Sequence, residues 1–330
     1  MRTCTIAEGR LAVADRPVPE PGPGEVLVRV HGAGLNRADL LQRAGGYPAP
    51  PGAPADVPGL EFAGVVEDVG AGVPAPQTGA RVFGITGGGA QAEYVAVPAV
   101  QCALVPDGAD LVTMGGVPEA FVTAHDAMTT RASLRANEWT VIHAVGSGVG
   151  TTALQLAKVW GARIVGTART PEKLERCRAL GLDVALEAPH TGDGRLDIDA
   201  LAWSIVEATD GGANVTLDLV GGDYVAADVA AAAVLGRIVC IGTVAGGRTT
   251  LPVVAVLAKR LTIVGTVLRA RSVAEKGEAM NGFTRDVVPL LADGRVAPIV
   301  DATLPLDDVD AAYDLLASNA TFGKVILDCR

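Results

Sequence analysis

The sequence predicts an α/β protein in which a doubly wound parallel sheet is carried by one domain and short β-strands dominate a second. Three observations predict it. In residues 118–266, apolar strand-like runs alternate with helix-like ones, the pattern of βαβ units. A glycine-rich turn lies between a strand and a helix at residues 141–151. The first 117 residues are punctuated by Pro and Gly, which leaves room only for short strands. At 330 residues the chain exceeds the size at which one hydrophobic core usually stops growing. Two domains are therefore expected: residues 1–117 with 267–330, and residues 118–266.

In the first domain, Pro17-Val18-Pro19-Glu20-Pro21-Gly22-Pro23-Gly24 admits neither helix nor central strand, because proline fixes φ and removes donors. It leads into a strand at 25–31, and further strands are predicted at 62–69, 81–85 and 92–97. So many short strands and turns suggest a partly closed, barrel-like unit. In the second domain, strands are predicted at 139–144, 163–167, 215–220, 237–242 and 261–267. Helices are predicted at 151–160 and 171–180, the latter opened by Thr170 as N-cap with Pro171 in its first turn. The last segment mixes both types and ends in a strand at 324–327.

Composition narrows the function classes. Hydrophobic residues make up 49% of the chain and charged residues 19%, which excludes intrinsic disorder. The most apolar stretches, 230–235 and 251–258, fall far short of the ~20 residues a spanning helix needs. Glu8, Arg10 and Asp15 interrupt any signal-peptide core, so a soluble, cytoplasmic protein is expected. A net charge of −10 repels phosphate backbones and argues against nucleic acid as a partner. Five scattered cysteines without a C-x-x-C pair read as free buried thiols. His31, His125, His143 and His190 show no ligand spacing and read as satisfied structural histidines.

The most informative segment is Val141-Ile142-His143-Ala144-Val145-Gly146-Ser147-Gly148-Val149-Gly150-Thr151. Small residues let a backbone approach a pyrophosphate, and the free amides and dipole of a helix N-terminus favour its charge. The strand before it, the helix after it and a second strand at the right distance support dinucleotide binding in a Rossmann-type sheet. An NAD-binding chain usually places Asp or Glu at the tip of that second strand. Here Arg169 stands there, with Lys173 one turn into the next helix, so NADPH is favoured through its 2′-phosphate. The alternative is that both are ordinary solvated charges.

Several further motifs span nearly the whole chain. They are Pro19-Glu20-Pro21-Gly22-Pro23-Gly24-Glu25-Val26-Leu27-Val28-Arg29-Val30, Asn36-Arg37-Ala38-Asp39 and Pro58-Gly59-Leu60-Glu61-Phe62-Ala63-Gly64. Pro118-Glu119-Ala120-Phe121-Val122-Thr123-Ala124, Gly236-Arg237-Ile238-Val239 and Phe322-Gly323-Lys324-Val325 complete the set. With the turn, they resemble the zinc-independent quinone oxidoreductases of the medium-chain dehydrogenase/reductase superfamily. The A-x-x-G-x-x-G fingerprint reads Ala144, Ser147, Gly150, and serine in the middle is similar to the stress-inducible mammalian subgroup. The resemblance implies a GroES-like catalytic domain beside the Rossmann domain.

It also implies roles for individual residues. Asn36 would bond near the nicotinamide ribose or the substrate carbonyl, and Thr123 would sit close to the nicotinamide. Ser147, Gly148 and Val149, with Gly150 closing the fingerprint, would hold the pyrophosphate. Ile241, Gly242 and Leu268 would border the nicotinamide, with Gly323 and Lys324 closing the cleft. Tyr47 would line the substrate channel, either as a proton or hydrogen-bond donor or merely packing its Pro-rich loop. The family's Asn-Tyr pair near the adenine is replaced by Ala185-Leu186-Glu187-Ala188, so no contact is carried there. Zinc alcohol dehydrogenases of the superfamily carry Cys at the position of Asn36 and His at that of Leu60. Leucine cannot coordinate a metal and an amide is a poor zinc ligand, so a zinc-free reaction is expected.

Three functions stay open on these grounds: NADPH-dependent reduction of quinones, reduction of conjugated ketones or enoyl thioesters, and a non-catalytic NADPH-binding redox sensor. A homodimer is expected, because the apolar run at 261–267 would make an exposed sheet edge.

Overall fold

The computed structural model describes residues 1–330 and divides into two compact units, Met1–Val122 with Leu268–Arg330, and Thr123–Val267. The first opens with an antiparallel ribbon of β1 (Arg2–Ala7) and β2 (Arg10–Asp15). After the proline run come β3 (Glu25–Gly34), α1 (Arg37–Arg43), β4 (Glu61–Val69) and β5 (Arg81–Ile85). Then follow β6 (Tyr94–Pro98), β7 (Cys102–Leu104), α2 (Leu111–Met114) and α3 (Pro118–His125).

The second unit contains β8 (Trp139–Ile142), α4 (Gly148–Val159), β9 (Arg163–Ala168), α5 (Pro171–Arg178) and β10 (Val184–Glu187). It continues with α6 (Ile198–Thr209), β11 (Ala213–Asp218), α7 (Asp223–Ala231), β12 (Ala232–Cys240), α8 (Val253–Lys259) and β13 (Thr262–Gly265). The chain then returns to the first unit with α9 (Val273–Asp286), α10 (Val288–Ala292), β14 (Val300–Pro305), α11 (Val309–Ala317) and β15 (Lys324–Asp328).

In the first unit a seven-stranded sheet runs β14-β15-β3-β4-β5-β7, with β6 also paired to β3. Alternation along β3 buries Val26, Val28 and Val30 while Arg29 faces solvent. Those valines pack with Phe62, Tyr313, Val325 and Leu327 in one core. The Tyr313 hydroxyl, fully buried, donates to Gln91 Oε1 at 2.9 Å.

The second unit is an all-parallel sheet in the order β10-β9-β8-β11-β12-β13. Chain order reverses between β8 and β11, and the crevice beyond the C-terminal strand ends at such a reversal is where doubly wound sheets bind ligands. A buried polar network lies under those ends. His143 bridges Thr167 Oγ1 (2.8 Å from Nδ1) and Asp228 Oδ1 (2.7 Å from Nε2), and Tyr224 packs edge-on against its ring. Burial alone would lower the His143 pKa, but the Asp228 carboxylate overrides it and raises it.

Several boundaries depart from the sequence reading. The residues 148–150, expected as turn, form the first turn of α4, because Ser147 caps them. The strand expected at 139–144 ends at Ile142, where the chain turns into the left-handed backbone of Ala144. The strand at 237–242 begins earlier, at Ala232, and that at 261–267 shortens to four residues. Thr170 occupies the N-cap of α5 but its side chain makes no capping bond. His31 is not satisfied: its Nε2 is buried without a partner, and burial, aided by Arg29 and Arg330, lowers its pKa and favours the neutral ring. All five cysteines are free, with Cys102 and Cys240 only half-buried. No helix is long and apolar enough to cross a membrane.

Candidate active site

In the second unit the residues at 144–152 build a tight glycine turn into the N-terminus of α4 from local chemistry. Ala144 takes a positive φ of 49°, and Ser147 Oγ accepts from Gly150 N at 3.1 Å. A Cβ on Gly150 would stand 2.4 Å from Ala144 O, so this position must be glycine for the turn to close. Thr152 Oγ1 donates to Gly148 O at 2.9 Å, so the hydroxyl is held within the first turns of α4. Val145 N donates to Thr167 O at 3.0 Å and fastens the turn to β9. Gly148 and Val149 lie half-buried at the start of the helix.

Arg169 stands exposed one residue past β9, and Lys173 lies half-buried in α5. Ile241 and Gly242 follow β12, their amides donating to Asp218 O at 2.8 and 3.2 Å. These residues therefore follow the C-terminal ends of β9 and β12 in one parallel sheet. Thr123 is half-buried in α3.

The first unit gathers a different set. Lys324 Nζ, at the start of β15, donates to Glu61 Oε1 at 2.6 Å, Asn36 Oδ1 at 2.7 Å and Leu35 O at 2.7 Å. Asn36 Nδ2 donates to Glu61 Oε1 at 2.8 Å, and Glu119 N donates to Glu61 Oε2 at 2.8 Å. The Glu61 side chain is fully buried and that of Lys324 is 5% exposed. Asn36 thus has both ends of its amide committed within the protein. Behind it, Asp39 accepts from the Asn36 and Gly59 amides, while burial pushes its carboxyl up to about 6. Burial first, and then the Glu61 charge, push Glu119 up to about 8.

Tyr47 is half-buried and fixed by an arginine that the sequence reading passed over. Arg269 Nη1 donates to Tyr47 O at 2.9 Å, Nη2 to Gln42 Oε1 at 2.7 Å and Nε to Gly87 O at 2.8 Å. Its guanidinium lies 4.9 Å from the Tyr47 ring centroid, so the Pro-rich loop is pinned. Leu268 is buried beside it in sequence. Gly323 has φ 90°, and a Cβ there would meet Ile299 O at 2.2 Å.

Among the residues of the first unit, the structure brings together Asn36 and Lys324, and joins Tyr47 to Arg269. The sequence reading missed Glu61, Glu119, Asp39 and Arg269. The available signal was a charged residue inside an apolar run, as in Leu60-Glu61-Phe62 and Pro118-Glu119-Ala120.

Comparison with known proteins agrees with this fold. Residues 148–282 match the zinc-binding dehydrogenase family, and residues 22–107 match the alcohol dehydrogenase GroES-like domain. A quinone oxidoreductase of Pseudomonas aeruginosa is 30% identical over 310 residues, covering 93% of this chain and 92% of that protein. The chain belongs to the medium-chain dehydrogenase/reductase superfamily. Its relatives there include quinone oxidoreductases. A pikromycin polyketide synthase component of Streptomyces venezuelae is 32% identical over 319 residues, which cover 95% of this chain and 8% of the synthase. Among solved structures, an NAD-dependent alcohol dehydrogenase superposes with a TM-score of 0.84 at 31% identity, covering 99% of each chain. A mycobacterial protein solved with NADPH superposes with a TM-score of 0.88 at 27% identity, again covering 99% of each.

The family name implies zinc, and the residues present do not fit it. Asn36 supplies an amide already bonded at both ends, Leu60 is buried and has no donor atom, and no three His, Cys, Asp or Glu side chains group as a metal site.

Lys324→Met should destabilise the fold by ~3–5 kcal/mol, because it strands the Glu61 carboxylate in the interior. Adding Glu61→Gln should recover a large part of that loss. Urea denaturation of the single and double variants measures both, and a loss under ~1 kcal/mol in the single variant would contradict the ion-pair account.

Proposed function

We propose that this protein is an NADPH-dependent, zinc-independent reductase of conjugated carbonyl compounds, quinones or enones. The observation that supports the reading is that Asn36, which the resemblance matches to a ligand position of the zinc relatives, has its amide bonded to Glu61 and Lys324 within the protein. Without a Lewis acid there, alcohol oxidation is disfavoured, and acceptors that take a hydride readily remain.

When bound, NADPH supplies the hydride. The second unit would serve as the cofactor domain. Its Ser147, Gly148 and Val149, with Gly150 allowing close approach, would hold the pyrophosphate on the amides at the α4 N-terminus. Arg169 and Lys173 would bind the 2′-phosphate, and Ile241, Gly242, Leu268 and Gly323 would border the nicotinamide. Thr123 and Asn36 would orient the reacting groups, Asn36 through the bonds that lock its amide and Lys324 by holding Asn36. Tyr47, set by Arg269, would face the acceptor. Positioning and fixed charge can supply much of the barrier reduction in such a transfer.

A second reading, an enoyl reductase acting on thioesters, draws support from the similarity to a polyketide synthase segment. A panel of quinones, enones and enoyl thioesters, followed by loss of NADPH absorbance and product analysis, tests both. A reduced ring or a saturated C=C bond tells them apart, and no turnover with any acceptor would refute the proposal.

Arg169→Ala with Lys173→Ala should erase a preference for NADPH over NADH that is at least several-fold in the native chain. Titration of each cofactor by fluorescence measures this, and an unchanged preference would rule out the 2′-phosphate role.

The assembly we propose is a homodimer through β13. One side of this strand has no partner in the sheet, and α8, which precedes it in the chain, exposes Val253, Val254 and Leu257, the last two to more than 70%. An apolar edge left open invites uncontrolled association. Light scattering at micromolar concentration should give twice the chain mass, and a monodisperse monomer would exclude the dimer.

A further inference from the structure

One buried residue shapes two loops of the second unit at once. Asp218 ends β11, is fully buried and stands opposite Cys240 of β12. Its Oδ1 accepts from the amides of Val220 and Gly221, both at 2.8 Å, which fixes the turn between β11 and α7. Its main-chain carbonyl accepts from Ile241 N at 2.8 Å and Gly242 N at 3.2 Å, where the loop after β12 begins. The other carboxylate oxygen, Oδ2, is buried without a partner. Burying a half-satisfied carboxylate works against stability, so its presence at this strand end calls for a reason beyond packing.

The two loops close on each other, backbone against backbone. Gly221 forms a bridge with Gly246, and Ala245 N donates to Val220 O at 2.8 Å. Gly221 has φ 74°, and a Cβ there would stand 2.7 Å from Gly242 O. A Cβ on Gly242 would in turn collide with Leu219 O. Side chains are thus excluded from this seam, and neither loop can shift without the other.

We propose that Asp218 is a positioning residue for the nicotinamide half of NADPH, locking the loops at 219–222 and 241–246 into one platform. This rests on the reading given under Proposed function. The sheet order sets which half lies where. The glycine turn follows β8, and Arg169 follows β9 on one flank of it, whereas β11 and β12 lie on the other flank. A dinucleotide laid across the end of β8 with its 2′-phosphate at Arg169 runs its nicotinamide over β11 and β12. Asp218 is buried and does not meet the cofactor. Its side chain acts through Val220 and Gly221, and these act through the seam on Gly242 and Ala245. A displacement of ~1 Å at a reacting atom can lower a transfer rate ~10²-fold. The adenine half, on the other flank, is indifferent to such a displacement.

The full chain carries the test with two probes, NADPH and 2′,5′-ADP, the second standing for the adenine half alone. Asp218→Ala should leave the calorimetric Kd for 2′,5′-ADP within about twofold of native, which also shows that the second unit is folded. It should weaken NADPH several-fold and lower the single-turnover rate with a simple quinone or cyclic enone ~10-fold or more. Asp218→Asn should recover most of that loss, because its amide oxygen can accept from the same two main-chain donors. Gly221→Ala forces the loops apart without touching the carboxylate. It should repeat the Asp218→Ala pattern, and it decides the matter if Asp218→Ala does not fold. Native NADPH affinity and rate in a folded Asp218→Ala chain would overturn the proposal. So would equal losses for NADPH and 2′,5′-ADP, the mark of a general structural fault, or a Gly221→Ala chain that behaves as native. Failure of the underlying functional reading looks different. If the native chain binds neither probe, the positioning role falls with that reading. If it binds both and reduces no acceptor, the split between the two probes still tests Asp218.

Discussion

The first unit depends on one buried ion pair, Lys324 with Glu61. Removing two charges from water is costly, and the cost is offset only when every remaining polar atom finds a partner. Here Leu35 O, Asn36 and the Glu119 amide supply them, so one pair ties together β15, the entry to α1, β4 and the N-terminus of α3. These segments lie far apart in sequence. A partly satisfied network would be worse than an apolar core, so none of these positions can vary alone. The same bonds commit Asn36 to a structural task. Both ends of its amide are bonded within the network.

The second unit applies a related arrangement under the turn at 144–150. His143, Thr167 and Asp228 form a buried network beneath the strand ends. Thr167 links this network to the turn above it, since its carbonyl accepts from Val145 N. The chain carries a net charge of −10, yet Arg169 and Lys173 at the edge of β9 and α5 give this end a local positive character. Charge of opposite sign elsewhere on the surface does not cancel it beyond a Debye length.

Much of this was legible in the sequence where a local pattern sufficed. Alternation marked β3, and the apolar runs marked β8, β9 and β11, because period and turn residues are local signals. The turn at 144–150 was legible for the same reason, although the helix begins three residues earlier than its apolar spacing suggested, since Ser147 supplies the cap. The polar cluster was not. Glu61 and Glu119 read as isolated charges, and only the tertiary fold brings β4 against the start of α3. Arg269 was invisible in the same way: its three partners lie at residues 42, 47 and 87. One buried guanidinium, that of Arg269, holds the Pro-rich loop at Tyr47.

The central claim is that a network of ordinary side chains replaces a metal in a working reductase. Elemental analysis of the purified protein, paired with turnover of a quinone or enone before and after treatment with a strong zinc chelator, tests it most directly. The account predicts substoichiometric zinc and equal rates on both sides of the treatment. One bound equivalent of zinc, whose removal abolishes turnover and whose return restores it, would contradict the account.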